Sequence, residues 1–136
     1  MKKLFLIIAV LFCMLLVSCG NDTDKTEPNK GGGAMYEQIT PEDAKKIMDS
    51  GENHIILDVR EQDEFDAGHI PGAILLPYTE IETKAESVLP DKDKQILVYC
   101  RSGRRSKIAA ESLAKLGYTN IKEFGGIIDW PYEVED

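Results

Sequence analysis

Short apolar runs and amphipathic stretches alternate along the chain from residue 36 onward. Residues 55–59, 73–76 and 96–99 are brief and apolar, the first interrupted by Asp58, and each predicts a strand; residues 121–124 supply a last one. Tyr36-Glu37-Gln38-Ile39 fits a short edge strand. Between these runs the period lengthens. Ala44, Ile47 and Met48 share a helical face after Thr40-Pro41, a good N-cap followed by a first-turn proline. Residues 61–67 predict a short helix packed through Phe65. Residues 80–88, capped by Thr79, predict another with Ile81, Ala85 and Val88 inward. Residues 106–116 place Ala109, Leu113 and Leu116 on one stripe and Glu111 and Lys115 outside, with Ser106 as N-cap and Gly117 beyond the end. Gly125-Gly126 predicts a turn, after which Ile127, Ile128 and Trp130 pack back onto the domain. Strands alternating with helices predict one α/β domain with a mostly parallel sheet.

The first 35 residues follow a different pattern. Met1-Lys2-Lys3 is basic, residues 4–17 are apolar, and Leu16-Val17-Ser18-Cys19 follows. The apolar run is too short for an ordinary membrane span and has the order of a secretory signal. Its end resembles the lipobox of bacterial lipoproteins. That resemblance implies cleavage after residue 18, lipid on Cys19, and attachment to the membrane at the bacterial cell envelope on its extracytoplasmic side. Residues 19–35 are polar and contain Gly31-Gly32-Gly33, which suits a flexible tether ahead of a domain at 36–136.

Charge and cysteine count narrow the chemistry. The formal net charge is -8, and two lysines lie in the leader, so the remainder is more acidic still. An acidic body argues against nucleic acid as a partner. Of three cysteines, Cys13 would leave with the leader and Cys19 would carry lipid, leaving Cys100 as the one free thiol. A dithiol redox cycle is thereby excluded. No spacing of histidines and cysteines suits a metal, and no cofactor motif is present.

The remaining thiol sits in Tyr99-Cys100-Arg101-Ser102-Gly103-Arg104-Arg105-Ser106, between a predicted strand and a predicted helix. Three arginines lie within five positions of Cys100. Their charge and the helix N-terminus favour an anion and the nucleophilic thiolate. Gly103 lets the loop curl and aim its N–H groups inward.

This loop resembles the active-site loop of rhodanese-domain sulfurtransferases. Ile56-Leu57-Asp58-Val59-Arg60, Glu61, Glu64-Phe65 and Gly68-His69-Ile70-Pro71-Gly72-Ala73 resemble the first half of that family. Gly117-Tyr118 and Gly125-Gly126 with Trp130 resemble its last part. The resemblance implies a three-layer α/β domain with a five-stranded, mostly parallel sheet and helices on both faces. It implies a persulfide on Cys100, loaded from a small sulfur-containing anion such as thiosulfate and discharged to cyanide, a thiol or a protein thiol. Arg101, Ser102, Gly103, Arg104, Arg105 and Ser106 would form the substrate-binding loop. Asp58 and Arg60 would support it structurally, and His69 would serve packing. Two rivals stand beside this reading. One is a persulfide carrier or binding module without turnover. The other is a cysteine-dependent phosphatase or arsenate reductase, in which an arginine would stand where this loop has Ser106.

Overall fold

The computed structural model describes residues 35–136. The leader, Cys19 and nearly all of the tether lie outside them. Five parallel strands form one sheet in the order β1-β5-β4-β2-β3. They are β1 (Glu37–Gln38), β2 (His54–Asp58), β3 (Ile74–Leu75), β4 (Gln95–Cys100) and β5 (Ile121–Gly126). The helices are α1 (Pro41–Asp49), α2 (Gln62–Ala67), α3 (Ile81–Val88) and α4 (Arg104–Lys115). The five-stranded α/β sandwich expected from the sequence is the observed fold.

Strand β4 is the axis. All its residues are buried, as an apolar strand covered on both faces requires. Alternation divides them between two cores. Ile96, Val98 and Cys100 join Leu57, Val59, Ala109 and Leu113 on the face of α3 and α4. Leu97 and Tyr99 join Ala44, Ile56, Phe124 and Trp130 on the face of α1. Adjacent residues Tyr99 and Cys100 therefore leave the strand end on opposite sides of the sheet.

Local signals explain most boundaries. Thr40 Oγ1 accepts the Asp43 N–H at 3.1 Å, as the predicted cap of α1. Glu61 and Glu64 form a capping box at α2. Gly117, at φ +94°, follows the last turn of α4.

Several expectations need correction. Helix α4 begins three residues earlier than predicted. Gly103, left-handed at φ 102°, occupies the cap position, and Ser106 lies inside the first turn. Thr79 does not cap α3, because a 3-10 turn at Tyr78–Glu80 leads directly into it. Val88 is exposed and Leu89 takes its place in the core. Gly125-Gly126 completes β5 before a 3-10 turn, Ile127–Asp129. Trp130 packs inward as expected, whereas Ile128 is 59% exposed.

Candidate active site around Cys100

Cys100 ends β4 at the carboxyl edge of the sheet, where ligands bind in parallel α/β domains. The loop turns through Gly103 into α4. The Gly103 N–H donates to Cys100 Sγ at 3.0 Å. An amide aimed at the sulfur from a helix start stabilises negative charge there. Cys100 is 1% exposed, so the sulfur lies at the floor of the loop.

The loop is held from β5. One extra residue on β5 separates the pairs Val98↔Glu123 and Cys100↔Gly126, which makes a bulge. Gly126 then passes under the loop so closely that a Cβ would collide with the Arg101 carbonyl. The Arg101 carbonyl also accepts the Ile128 N–H at 3.2 Å.

The three arginines separate in space. Arg101 and Arg104 are exposed at the loop rim. Arg105 is clamped by Glu64 of α2, with both contacts at 2.7 Å. This bidentate hydrogen bonding from Arg105 holds the Glu64 carboxyl down at about 2. Ser106 Oγ, buried, lies 3.4 Å from Cys100 Sγ and donates to Glu123 Oε1 at 2.6 Å. Ser102 is exposed.

Asp58 and Arg60 lie on the other face of the sheet from Cys100, against Tyr99. Asp58 accepts the Arg60 backbone N–H at 3.0 Å, Arg60 Nη2 at 2.7 Å and the Tyr99 hydroxyl at 2.7 Å. Arg60 also donates to the Gly68 carbonyl, and Tyr99 Oη accepts the Ile70 N–H. Burial, with the Asp58 charge, pushes the Tyr99 hydroxyl well above the ordinary tyrosine range and keeps it a donor. The network ties β2, β4 and the turn at residues 68–72 together. His69 stacks on Phe65 at 3.8 Å, and the 135 backbone pairs with its own.

Glu123 is the residue the sequence reading passed over. It is 2% exposed on the α4 face and has no Lys, Arg or His within ion-pair distance among the described residues. A signal was present: period two puts Glu123 on the same face as Ile121, which is core.

A recess of about 460 Å³ opens beside Arg101, lined also by Arg60, Glu64, Ile128, Tyr132 and Val134. A second cavity, about 370 Å³, lies by Lys45, His54 and Trp130 and touches no loop residue. Among the described residues no three His, Cys, Asp or Glu stand together as metal ligands, and no helix is long and apolar enough to cross a membrane.

Known proteins match the same region. The chain is 37% identical over 110 residues to the putative sulfur carrier protein YrkF of Bacillus subtilis, covering 80% of this chain and 58% of that protein. The chain thus spans less than two thirds of that relative's length. It is 37% identical over 73 residues to thiosulfate sulfurtransferase PspE of Escherichia coli, covering 54% and 70%. A solved rhodanese with anions from E. coli superposes with a TM-score of 0.58 at 32% identity, covering 61% of this chain and 98% of that one. The sequence profile of the rhodanese-like domain matches residues 40–131. Fold, loop and sequence converge: the chain belongs to the rhodanese-like domain family.

Proposed function

We propose that this chain is a rhodanese-type sulfurtransferase. It moves sulfane sulfur from thiosulfate or a related donor to cyanide or a thiol through a persulfide on Cys100. The observation that carries the reading is Cys100 Sγ on the floor of a strand-to-helix loop, with the Gly103 N–H 3.0 Å away. The Cys100 thiolate attacks the outer sulfur of thiosulfate. A new S–S bond forms, the donor's S–S bond breaks, and sulfite departs with the electron pair. The acceptor then attacks the terminal sulfur and releases the thiolate. Arg101 and Arg104, exposed at the rim, supply positive charge for the donor's sulfonate end. Arg105 acts with them through the loop it anchors to Glu64. Ser102 and Ser106 complete the loop, and Asp58 with Arg60 supports the strand end beneath it.

The phosphatase reading lacks its clamp. Ser106 stands at the required arginine position, and Arg105 is already engaged by Glu64. The carrier reading has one specific support, the similarity to a putative sulfur carrier protein. Steady-state kinetics separate the two. Turnover predicts thiocyanate from thiosulfate and cyanide, parallel lines in double-reciprocal plots, and loss of both steps in Cys100→Ser. A folded, reduced protein that forms no thiocyanate but accepts sulfur from a protein persulfide is a carrier.

For location, residues 1–18 act as a signal peptide and lipid on Cys19 anchors the domain to the cell envelope through the 19–35 tether. The support is the basic, apolar, Leu-Val-Ser-Cys order. Cys19→Ala abolishes acylation; an intact leader on protein extracted from membranes overturns this placement.

A further inference from the structure

One hydroxyl joins the nucleophile to a buried carboxylate. Ser106 Oγ lies 3.4 Å from Cys100 Sγ and 2.6 Å from Glu123 Oε1. The Gly103 and Gly125 carbonyls are further from it, at 3.0 and 3.3 Å, and are neutral. A serine hydroxyl has a single proton. The short contact to the carboxylate takes that proton, and a lone pair is left facing the thiol. The chain of donors is therefore S–H to Oγ, and O–H to carboxylate.

Glu123 is buried with no cationic partner among the described residues. It is 2% exposed, and among the described residues it accepts from neutral donors: Ser106, the Gly125 N–H at 2.8 Å, and Gln38 Nε2 at 3.5 Å. A second negative charge on Cys100 would face an uncompensated buried carboxylate. The charges nearest the pair lie on α4, α2 and the β1–β5 edge. Arg105 of α4 turns positive charge toward Cys100 but is paired with Glu64 of α2. Glu37 and Lys122, paired at 3.4 Å, alternate with Gln38 and Glu123 along β1 and β5 and so leave the sheet on its other face.

We infer that Glu123 holds the proton of Cys100 during sulfur loading and returns it through Ser106. As the thiol becomes the nucleophile, its S–H bond breaks and the proton goes to Ser106 Oγ. The original Ser106 proton goes to Glu123 Oε1, and the total charge is unchanged. The hydroxyl has then reversed and donates to the thiolate beside the Gly103 N–H. When the acceptor removes the terminal sulfur, Cys100 leaves as thiolate, and the same two transfers run backward. Glu123 touches no reacting atom and acts entirely through Ser106.

The inference rests on Cys100 as the nucleophile and deepens the proposed function. Alkylation of Cys100 by iodoacetamide tests it without any sulfur donor, so a failure with thiosulfate stays distinguishable. The full chain is alkylated between pH 6 and 8, and the tryptic peptide spanning 95–101 is followed by mass. An internal transfer makes the reactive form independent of pH over that window. The wild-type rate therefore changes less than about threefold. Glu123→Gln and Ser106→Ala must lose the proton to solvent, and their rates climb roughly tenfold per pH unit. Ser106→Thr keeps the hydroxyl and restores the flat profile. Should Glu123→Gln fail to fold, Ser106→Ala decides. A wild-type rate that itself climbs tenfold per unit, or a folded Ser106→Ala with the wild-type profile, overturns the inference.

Discussion

Two buried carboxylates flank the end of β4, one on each face of the sheet, and they are compensated in opposite ways. Asp58 is 0% exposed and meets a guanidinium through several bonds, together with a tyrosine hydroxyl. Glu123 is 2% exposed and meets a hydroxyl, an amide N–H and an amide side chain. Neighbouring residues of β4 face them: Tyr99 toward Asp58, and Cys100 toward the Ser106 hydroxyl that binds Glu123. A neutralised carboxylate with a fixed cation is a strut. A carboxylate held by neutral donors beside a thiol has no such fixed partner and reaches the nucleophile through one hydroxyl. Burial alone does not tell these roles apart; the partner's charge does.

The largest effect separates the two sites by stability. Asp58→Ala strands Arg60 in the interior and removes the Tyr99 acceptor, which destabilises by about 3–5 kcal/mol in denaturant unfolding. Glu123→Gln keeps volume and the two bonds accepted by Oε1, and is expected to lower stability by no more than roughly 1–2 kcal/mol. Equal losses would dissolve the contrast.

Next is the loop's seat on β5. Gly126→Ala drives a methyl group into the Arg101 carbonyl, so the loop must shift. The expected loss is about 1–3 kcal/mol in stability, the range for overpacking. Thiosulfate loading falls by more than about tenfold through the misplaced amide on Cys100. Loading at the wild-type rate would show that the loop geometry does not set the chemistry.

A smaller effect belongs to Arg105 and Glu64, an ion pair reaching the surface. Arg105 holds Glu64 at about 2, below its ordinary 4.5. Because the folded value is the lower one, the pair's stabilisation is present above pH 4.5 and is lost as pH falls from there toward about 2. The unfolding free energies of wild type and Glu64→Gln should differ by about 1 kcal/mol at neutral pH, as for a screened pair, and converge in acid. A gap that widens in acid contradicts the sign. The smallest change is a control outside both networks. Ile128→Ser, at a position 59% exposed, stays within about 0.5 kcal/mol of wild type.

What could be read from the chain follows the range of the forces involved. Alternating runs located the five strands and four α-helices of the described residues, and Thr40 marked the start of α1, because period and capping act within a few residues. The Cys100 loop was visible for the same reason: its charges, glycine and thiol are consecutive. The start of α4 was misplaced because Ser106 is a good cap in isolation. Its hydroxyl is instead taken by Glu123, seventeen residues away. Arg105 could not be told from Arg101 and Arg104 without knowing that α2 brings Glu64 to it. The bulge in β5 that brings Gly126 under the loop is set by pairing with β4, which no local pattern encodes.

The most direct measurement is the mass of the tryptic peptide spanning 95–101 after the reduced protein meets thiosulfate, and again after cyanide. The account predicts the gain of one sulfur atom on Cys100, then its complete loss with equimolar thiocyanate, and neither change in Cys100→Ser. A fully reduced, folded protein whose Cys100 peptide never gains that sulfur, or gains it and does not yield it to cyanide or a thiol, contradicts the sulfurtransferase reading.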